Sequence, residues 1–290
     1  MKRSDQEPKG PYSVLICLTE KCAGGCPGCI APVFGERDIA METLARILDA
    51  LKEREVKRIS FGGGEPTSHP KLRRIVQLTK SKGFLTAMST NGMKIGRNSG
   101  ILKALEGYLD EVIIDYHATR AKTAQVFSPY MDTAHRKRVE VLFREILQWN
   151  MQLKVATVMF KHNAALEMLE RIAQRLEHIG VRIWKIDQYY FVPWKGRYGN
   201  VEQAFAVPDR LYENNLGFLR REHPSLKIIG VGAKFRRRQM NFMISPGGHA
   251  FVNNCNKTQP LGNVLKMLEG NRLLPKYMSP LPVGNYRILA

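Results

Sequence analysis

Apolar residues along this chain alternate between short continuous runs and stripes at helical spacing. Ser13–Leu18 is a short apolar run. Met41, Leu44, Ile47, Leu48 and Leu51 then recur every three to four positions, which predicts a helix. Val56–Phe61 reads as a strand that ends at Gly62-Gly63-Gly64-Glu65-Pro66. Leu72, Ile75 and Val76 mark a helix after Pro70, and Phe84–Ser89 is the next strand. A helix around Ile101–Leu105 precedes a strand at Glu111–His117. Val139, Leu142, Phe143, Ile146 and Leu147 share one helical face, and Leu153–Phe160 follows as a strand. Leu166, Leu169, Ile172, Ala173, Leu176 and Ile179 form another stripe, stopped by Gly180, before a strand at Val181–Phe191.

Six strand–helix alternations predict an α/β fold with a parallel sheet and crossover helices. Ligands in such folds bind at the carboxyl ends of the strands. The Gly-rich turn after the second strand falls at such an end, and so does the loop after the first. Past Val192 the rhythm changes. Asp209–Arg221 reads as a helix and Lys227–Val231 as a strand. Met240–Ser245, a Pro246-Gly247-Gly248 turn and His249–Asn253 read as a hairpin. Leu261-Gly262-Asn263-Val264 leads into a short helix. The expected organisation is a tail over 1–12, a main domain over 13–232 and an extension over 233–290.

The loop after the first strand carries the chemistry. Cys22, Cys26 and Cys29 stand as Cys-x3-Cys-x2-Cys in a short Gly- and Pro-containing segment, so three thiolates can converge on one centre. Thiolates are the ligands of iron–sulfur clusters, and three of them leave one iron open. A structural zinc site is the other reading, but it normally has four ligands. Cys17 lies in an apolar run and reads as a packed core residue. Cys255 alone could close a site across the fold. The odd count of 5 cysteines in a chain of 290 residues argues against a disulfide framework.

Composition narrows the class. The charged share of 24% is ordinary for a globular protein. The first ten residues have no apolar segment of the signal-peptide kind, and no apolar run is long enough to span a bilayer. A cytoplasmic, membrane-free protein is the expectation. The formal charge of +19 favours polyanionic or phosphorylated partners. Its basic residues are dispersed, with small concentrations at Arg136-Lys137-Arg138, Arg220-Arg221 and Lys234 to Arg238, and no nucleic-acid motif accompanies them.

Taken in order, the cysteine loop behind Thr19 and then Gly63-Gly64-Glu65-Pro66 resemble the radical S-adenosylmethionine (radical SAM) superfamily. The resemblance covers roughly Tyr12 to Gly196 and implies a partial (β/α)6 TIM-like barrel. It implies that Cys22, Cys26 and Cys29 hold a [4Fe–4S] cluster whose fourth iron takes S-adenosylmethionine. It implies that Gly63, Gly64 and Glu65 meet the methionine amino group. Ser89-Thr90-Asn91-Gly92 resembles the polar end of the family's third strand, which makes Ser89 and Asn91 cofactor contacts. Asp115 and His117 end the fourth strand, with a cofactor contact and a structural role equally open. Lys154–Phe160 and Trp184–Tyr190 would flank the adenine. Gly28 departs from the family, whose loops carry an aromatic residue there. The resemblance further implies an electron donor of flavodoxin or ferredoxin type and a 5′-deoxyadenosyl radical that takes hydrogen from a substrate.

The substrate is less defined. Lys185, Tyr189, Tyr190, Trp194, Lys195, Arg197 and Tyr198 interleave aromatic and basic groups at and past the sixth strand. They suit a small anionic substrate, and Trp194, Lys195, Arg197 and Tyr198 are its candidate contacts. They equally suit a basic surface loop. Peptide, protein or RNA substrates are the alternatives. Ser245 to Cys255, followed by Leu261-Gly262-Asn263-Val264, resembles the start of a SPASM-type extension; with Cys255 alone it reads as a cluster-free remnant or an ordinary hairpin. A reading of another class, a zinc-stabilised basic nucleic-acid-binding protein, accounts for charge and cysteines but not for Gly-Gly-Glu-Pro or six βα units.

Overall fold

The computed structural model describes residues 12–29, 35–54, 56–190, 202–233, 241–254, 257–269 and 279–280. Seven parallel strands follow one another in space in chain order. They are β1 (Tyr12–Thr19), β2 (Val56–Gly63), β3 (Leu85–Thr90), β4 (Glu111–Asp115), β5 (Gln152–Met159), β6 (Ile183–Gln188) and β7 (Lys227–Val231). The helices between them are α1 (Met41–Lys52), α2 (Leu72–Ser81), α3 (Gly100–Lys103), α4 (Ala121–Phe127), α5 (Thr133–Ile146), α6 (Leu166–Ile179), α7 (Glu202–Phe205) and α8 (Asp209–Glu222).

The expected α/β barrel-type architecture is present, and the sheet extends beyond six strands. β8 (Asn241–Ile244) lies parallel on the far side of β1, with Leu15 opposite Met243 and Ile16 opposite Ile244. β9 (His249–Asn254) and β10 (Lys257–Asn263) continue from it as antiparallel neighbours. The predicted hairpin is therefore β8–β9, and its first strand belongs to the main sheet. Between β7 and β8 no pairing occurs among the described residues, so the sheet stays open there.

Local sequence explains the elements. Asp132 caps α5 by accepting from the His135 N–H at 2.6 Å, as a carboxylate at a helix N-terminus should. Gly180 ends α6 in the left-handed conformation (φ +94°), and the Leu176 carbonyl accepts from both Gly180 and Val181. The stripes on α1, α5 and α6 bury Leu44, Ile47, Val139, Phe143, Ile172 and Leu176 against the outer face of the sheet. Trp184 is fully buried, and its indole N–H donates to Thr157 Oγ1 at 2.8 Å, tying β6 to β5. Inside the barrel floor, Glu111 on β4 pairs with both Arg58 on β2 and Lys154 on β5. Among the described residues no helix is long and apolar enough to cross a membrane.

Candidate active site

The cysteine loop is pinned at its root. Thr19 Oγ1 donates to Asp38 at 2.6 Å, and Lys21 Nζ pairs with the same carboxylate at 2.7 Å. The Glu20 N–H donates to the Arg37 carbonyl and the Ile39 N–H to that of Leu18. The chain leaving the loop thus returns to the strand it left. Cys22, Cys26 and Cys29 line one cavity of about 460 Å³ at the carboxyl ends of the strands. The Gly24 N–H donates to Cys22 Sγ at 3.4 Å, and the Asn91 amide lies 3.8 Å from the same sulfur. Cys26 Sγ lies 3.6 Å from the Ser128 hydroxyl. Burial pushes the Cys26 thiol up to about 12, with the Ser128 hydroxyl opposing and Cys29, Asp115 and Cys22 adding to the rise. A cationic centre bound beside such a group would favour its thiolate form.

The glycine turn is built for close approach. Gly63 has φ +111°, and a Cβ there would lie 2.8 Å from both the Cys17 Cβ and the Thr19 carbonyl oxygen. A Cβ on Gly64 would lie 2.4 Å from the Lys21 carbonyl oxygen. The Gly64 N–H donates to Thr19 O and the Glu65 N–H to Lys21 O, each at 2.8 Å. Glu65 is 3% exposed, and its carboxylate accepts four bonds. Donors are the Thr67 N–H at 3.1 Å, the Thr67 hydroxyl at 2.6 Å, the Thr90 hydroxyl at 2.7 Å and the Asn91 N–H at 2.8 Å. Glu65 therefore fastens the end of β2 to the end of β3.

Ser89, Asn91, Asp115 and His117 all line the cavity. Burial lowers the His117 pKa to about 4, so the ring is neutral; its Nδ1 accepts from the Val158 N–H at 3.3 Å. The Asp115 carboxylate accepts no hydrogen bond among the described residues. Burial, then the charge of Glu65, raises its pKa to about 7, with Lys185 opposing and Asp187 adding. Lys185 and Asp187 pair on the β6 wall, beside Gln188, Tyr189 and Tyr190. Lys154 instead turns to the barrel floor.

Gly28 has a steric cause here. A Cβ on it would lie 2.4 Å from Phe127 Cε2 and 3.1 Å from Tyr189. Phe127 stacks on Phe160 at 5.0 Å and meets His117, Tyr189 and Phe205 edge-on. Sequence reading missed Phe127, Ser128 and Tyr130, which line the cavity from α4 and the turn after it. The signal available was the Ser-Pro pair just ahead of the Asp132 cap. Trp194, Lys195, Arg197, Tyr198 and Cys255 lie outside the described residues. Cys17 is fully buried, which pushes its thiol up to about 12 and fits a core role.

Among the described residues no three His, Cys, Asp or Glu side chains converge as a single metal ion requires. A cube-shaped cluster holds its thiolates farther apart, so three cysteines around one cavity fit it. Its glycine-lined rim and the unengaged Asp115 fit a cationic cofactor beside it.

Residues 16–142 match the model of the Radical SAM superfamily. The chain is 29% identical over 204 residues to a PqqA peptide cyclase of Ruegeria pomeroyi, covering 69% of this chain and 52% of that protein. It thus spans about half the length of that relative. It is 22% identical over 250 residues to an S-adenosylmethionine-dependent nucleotide dehydratase of Flammeovirga pacifica, covering 83% and 82% of the two chains. The fold is similar to that of native anSMEcpe with bound AdoMet (TM-score 0.68, 14% identity, covering 92% of this chain and 83% of that one). It is also similar to Streptococcus suis SuiB bound to S-adenosylmethionine (TM-score 0.66, 15% identity, 92% and 67%). The family match ends before residue 245 and does not bear on the SPASM-type resemblance. Residues 16–142 of this chain are therefore a Radical SAM superfamily domain.

Proposed function

We propose that Cys22, Cys26 and Cys29 hold the cluster and that S-adenosylmethionine lies against Gly63, Gly64, Ser89, Asn91, Asp115 and His117. The observation that carries this is the opening of all three thiols onto the same cavity as those residues. When bound, the two cofactors supply one-electron cleavage and a carbon radical that removes a hydrogen atom from the substrate. The chain's own residues set the geometry. Glu65 holds the β2 and β3 ends together, which fixes both the glycine carbonyls and Asn91. Asn91 and the Gly24 N–H offer donors to the Cys22 sulfur. Phe127 and Tyr189 fill the space beside Gly28 and give the cavity an apolar wall that keeps water from the reacting carbon. Asp115 holds or releases a proton near pH 7.

The substrate we propose is a small anion, with Lys185 on the cavity wall as its countercharge and Trp194, Lys195, Arg197 and Tyr198 as further contacts. Lys185 already faces Asp187, so an entering phosphate or carboxylate would compete for it. The alignment with the nucleotide dehydratase runs over most of both chains, whereas that with the peptide cyclase spans about half of the relative. This favours a nucleotide-like substrate over a peptide.

The test is anaerobic reconstitution followed by dithionite reduction. Wild-type protein should form 5′-deoxyadenosine, and a panel of nucleotides should stimulate this more than peptides do. Cys22→Ala should load no functional cluster. Glu65→Gln should keep the cluster and bind S-adenosylmethionine about tenfold more weakly, because an amide cannot accept all four bonds. Holo protein that forms no 5′-deoxyadenosine sinks the reading, and stimulation by peptides alone sinks the choice of substrate.

A further inference from the structure

We infer that the surface formed by Lys94, Arg97, Lys137 and Arg138 is the docking site for an acidic one-electron carrier protein. The inference rests on the cluster reading of the three cysteines. Its geometry begins at the second turn of α5. That turn packs against the loop after β3, where a Cβ on Gly96 would lie 3.5 Å from the Arg138 Cβ. Lys94, Arg97 and Lys137 are exposed, and Arg138 is half-buried. None of the four forms an ion pair among the described residues. The buried Nε of Arg138 also lacks a hydrogen-bond partner there. Several basic side chains on other helices pair locally, such as Lys103 with Glu106 and Arg171 with Glu167. The four cations of this patch are left available to a partner.

The patch lies close to a cysteine of the cluster loop. Arg138 and Arg97 act electrostatically on His135, which also interacts with the Asn91 backbone. The Asn91 amide is 3.8 Å from Cys22 Sγ. Tyr130 stacks edge-on against His135 at 5.2 Å, and its ring would lie 3.4 Å from a Cβ on Gly24 inside the cysteine loop. One route of neighbouring groups, through His135, thus leads from the basic surface and branches to Cys22 and to its loop. Electron tunnelling falls steeply with distance, so a carrier must present its redox group near here. Positive charge close to the cysteine loop steers an acidic protein and orients it. In the exchange, the carrier's reduced flavin loses one electron, and the cluster held by the three cysteines takes it up. An RNA would also be drawn to positive charge, but it would have no use for a surface wired to a cysteine of the cluster loop.

The experiment uses reconstituted holoenzyme and a bacterial flavodoxin in its fully reduced form. Reduction is followed by loss of visible cluster absorbance, at low and high salt. Arg97→Glu with Arg138→Glu should slow reduction by flavodoxin about tenfold at low salt, the range over which steering acts on encounter rates. High salt should shrink that difference. Lys94→Glu with Lys137→Glu, both exposed, should act the same way without touching the packed face of α5. Lys52→Glu with Lys57→Glu makes the same charge change at the opposite end of the barrel and should leave the rate unchanged. Dithionite should reduce every variant as it reduces the wild type. Flavodoxin rates that match wild type in both patch variants overturn the proposal. So does an equal loss in the Lys52/Lys57 control. So does loss of binding to an RNA oligonucleotide in the patch variants with flavodoxin reduction intact. Wild-type protein that dithionite cannot reduce removes the cluster reading itself, and the docking site falls with it.

Discussion

At the scale of single residues, the site separates groups that build it from groups left open to chemistry. Glu65 is spent on four internal donors and His117 on a backbone N–H. Asp115 faces the cavity with no such partner among the described residues, and burial raises its pKa to about 7. An ordinary Asp in an unfolded chain titrates near ~3.9. Between about pH 4 and pH 7 the folded state therefore keeps a proton that the unfolded state has lost. Stability of the cluster-free protein falls as pH rises through that window. The loss is on the order of a few kcal/mol by pH 8, since each tenfold change in proton affinity is worth about 1.4 kcal/mol. Asp115→Asn has no proton to lose. Relative to the variant, wild type should lose a few kcal/mol between about pH 4 and pH 8 in urea unfolding of the cluster-free protein, most of it between about pH 4.5 and pH 7. Parallel stability–pH curves for the two proteins would contradict the assignment.

At the scale of elements, ion pairing on the barrel floor locks three strands together. Glu111 on β4 lies between Arg58 on β2 and Lys154 on β5, and the three are nearly enclosed. One carboxylate satisfies two buried cations. Glu111→Gln removes the charge that both cations pair with here, and breaking such a buried pair by removing one partner costs about 3–5 kcal/mol. The melting transition should drop sharply, while Lys57→Gln, exposed on the same β2 strand, should leave it within experimental scatter. An unshifted transition in Glu111→Gln would mean that solvent reaches the floor. The strands of this floor were legible from their apolar runs, and α1, α5 and α6 from their stripes. α4 was not, because Ala121–Phe127 is seven residues long with one large apolar side chain on its buried face and no stripe to detect. Phe127, which fills the space beside Gly28, was missed with it. The three cysteines and the glycine turn were legible because their spacing is local. The internal use of Glu65 was not, since its donors Thr90 and Asn91 come from another strand and the turn that follows it.

At the scale of the molecule, β8, β9 and β10 are part of the sheet. The β8–β9 hairpin was legible from the turn residues, but its neighbour was not. Nothing local in Phe242-Met243-Ile244 states that it lies beside Leu15 and Ile16, at the far end of the chain. Once there, β8 covers the outer edge of β1, the strand that feeds the cysteine loop. Phe242, Met243 and Ile244 are buried, as are Ala250, Phe251 and Val252 on β9. Met243 and Phe251 pack directly against Cys17 and Leu15. Burying this apolar set contributes on the order of 10 kcal/mol, at about 1.5–3 kcal/mol for each large side chain. That is comparable to the whole stability of an ordinary domain. Removing it also frees the backbone donors and acceptors along β1, an invitation to pair with another chain. A chain that ends at Ala233 should therefore fail to fold as a monomer. Size-exclusion chromatography should show aggregate, circular dichroism should show no cooperative melt, and reconstitution should load far less iron and sulfide than the full chain. A monomeric, cooperatively melting truncation that still takes up a full cluster would show that residues 13–232 are a self-sufficient domain and that the β8 pairing is dispensable.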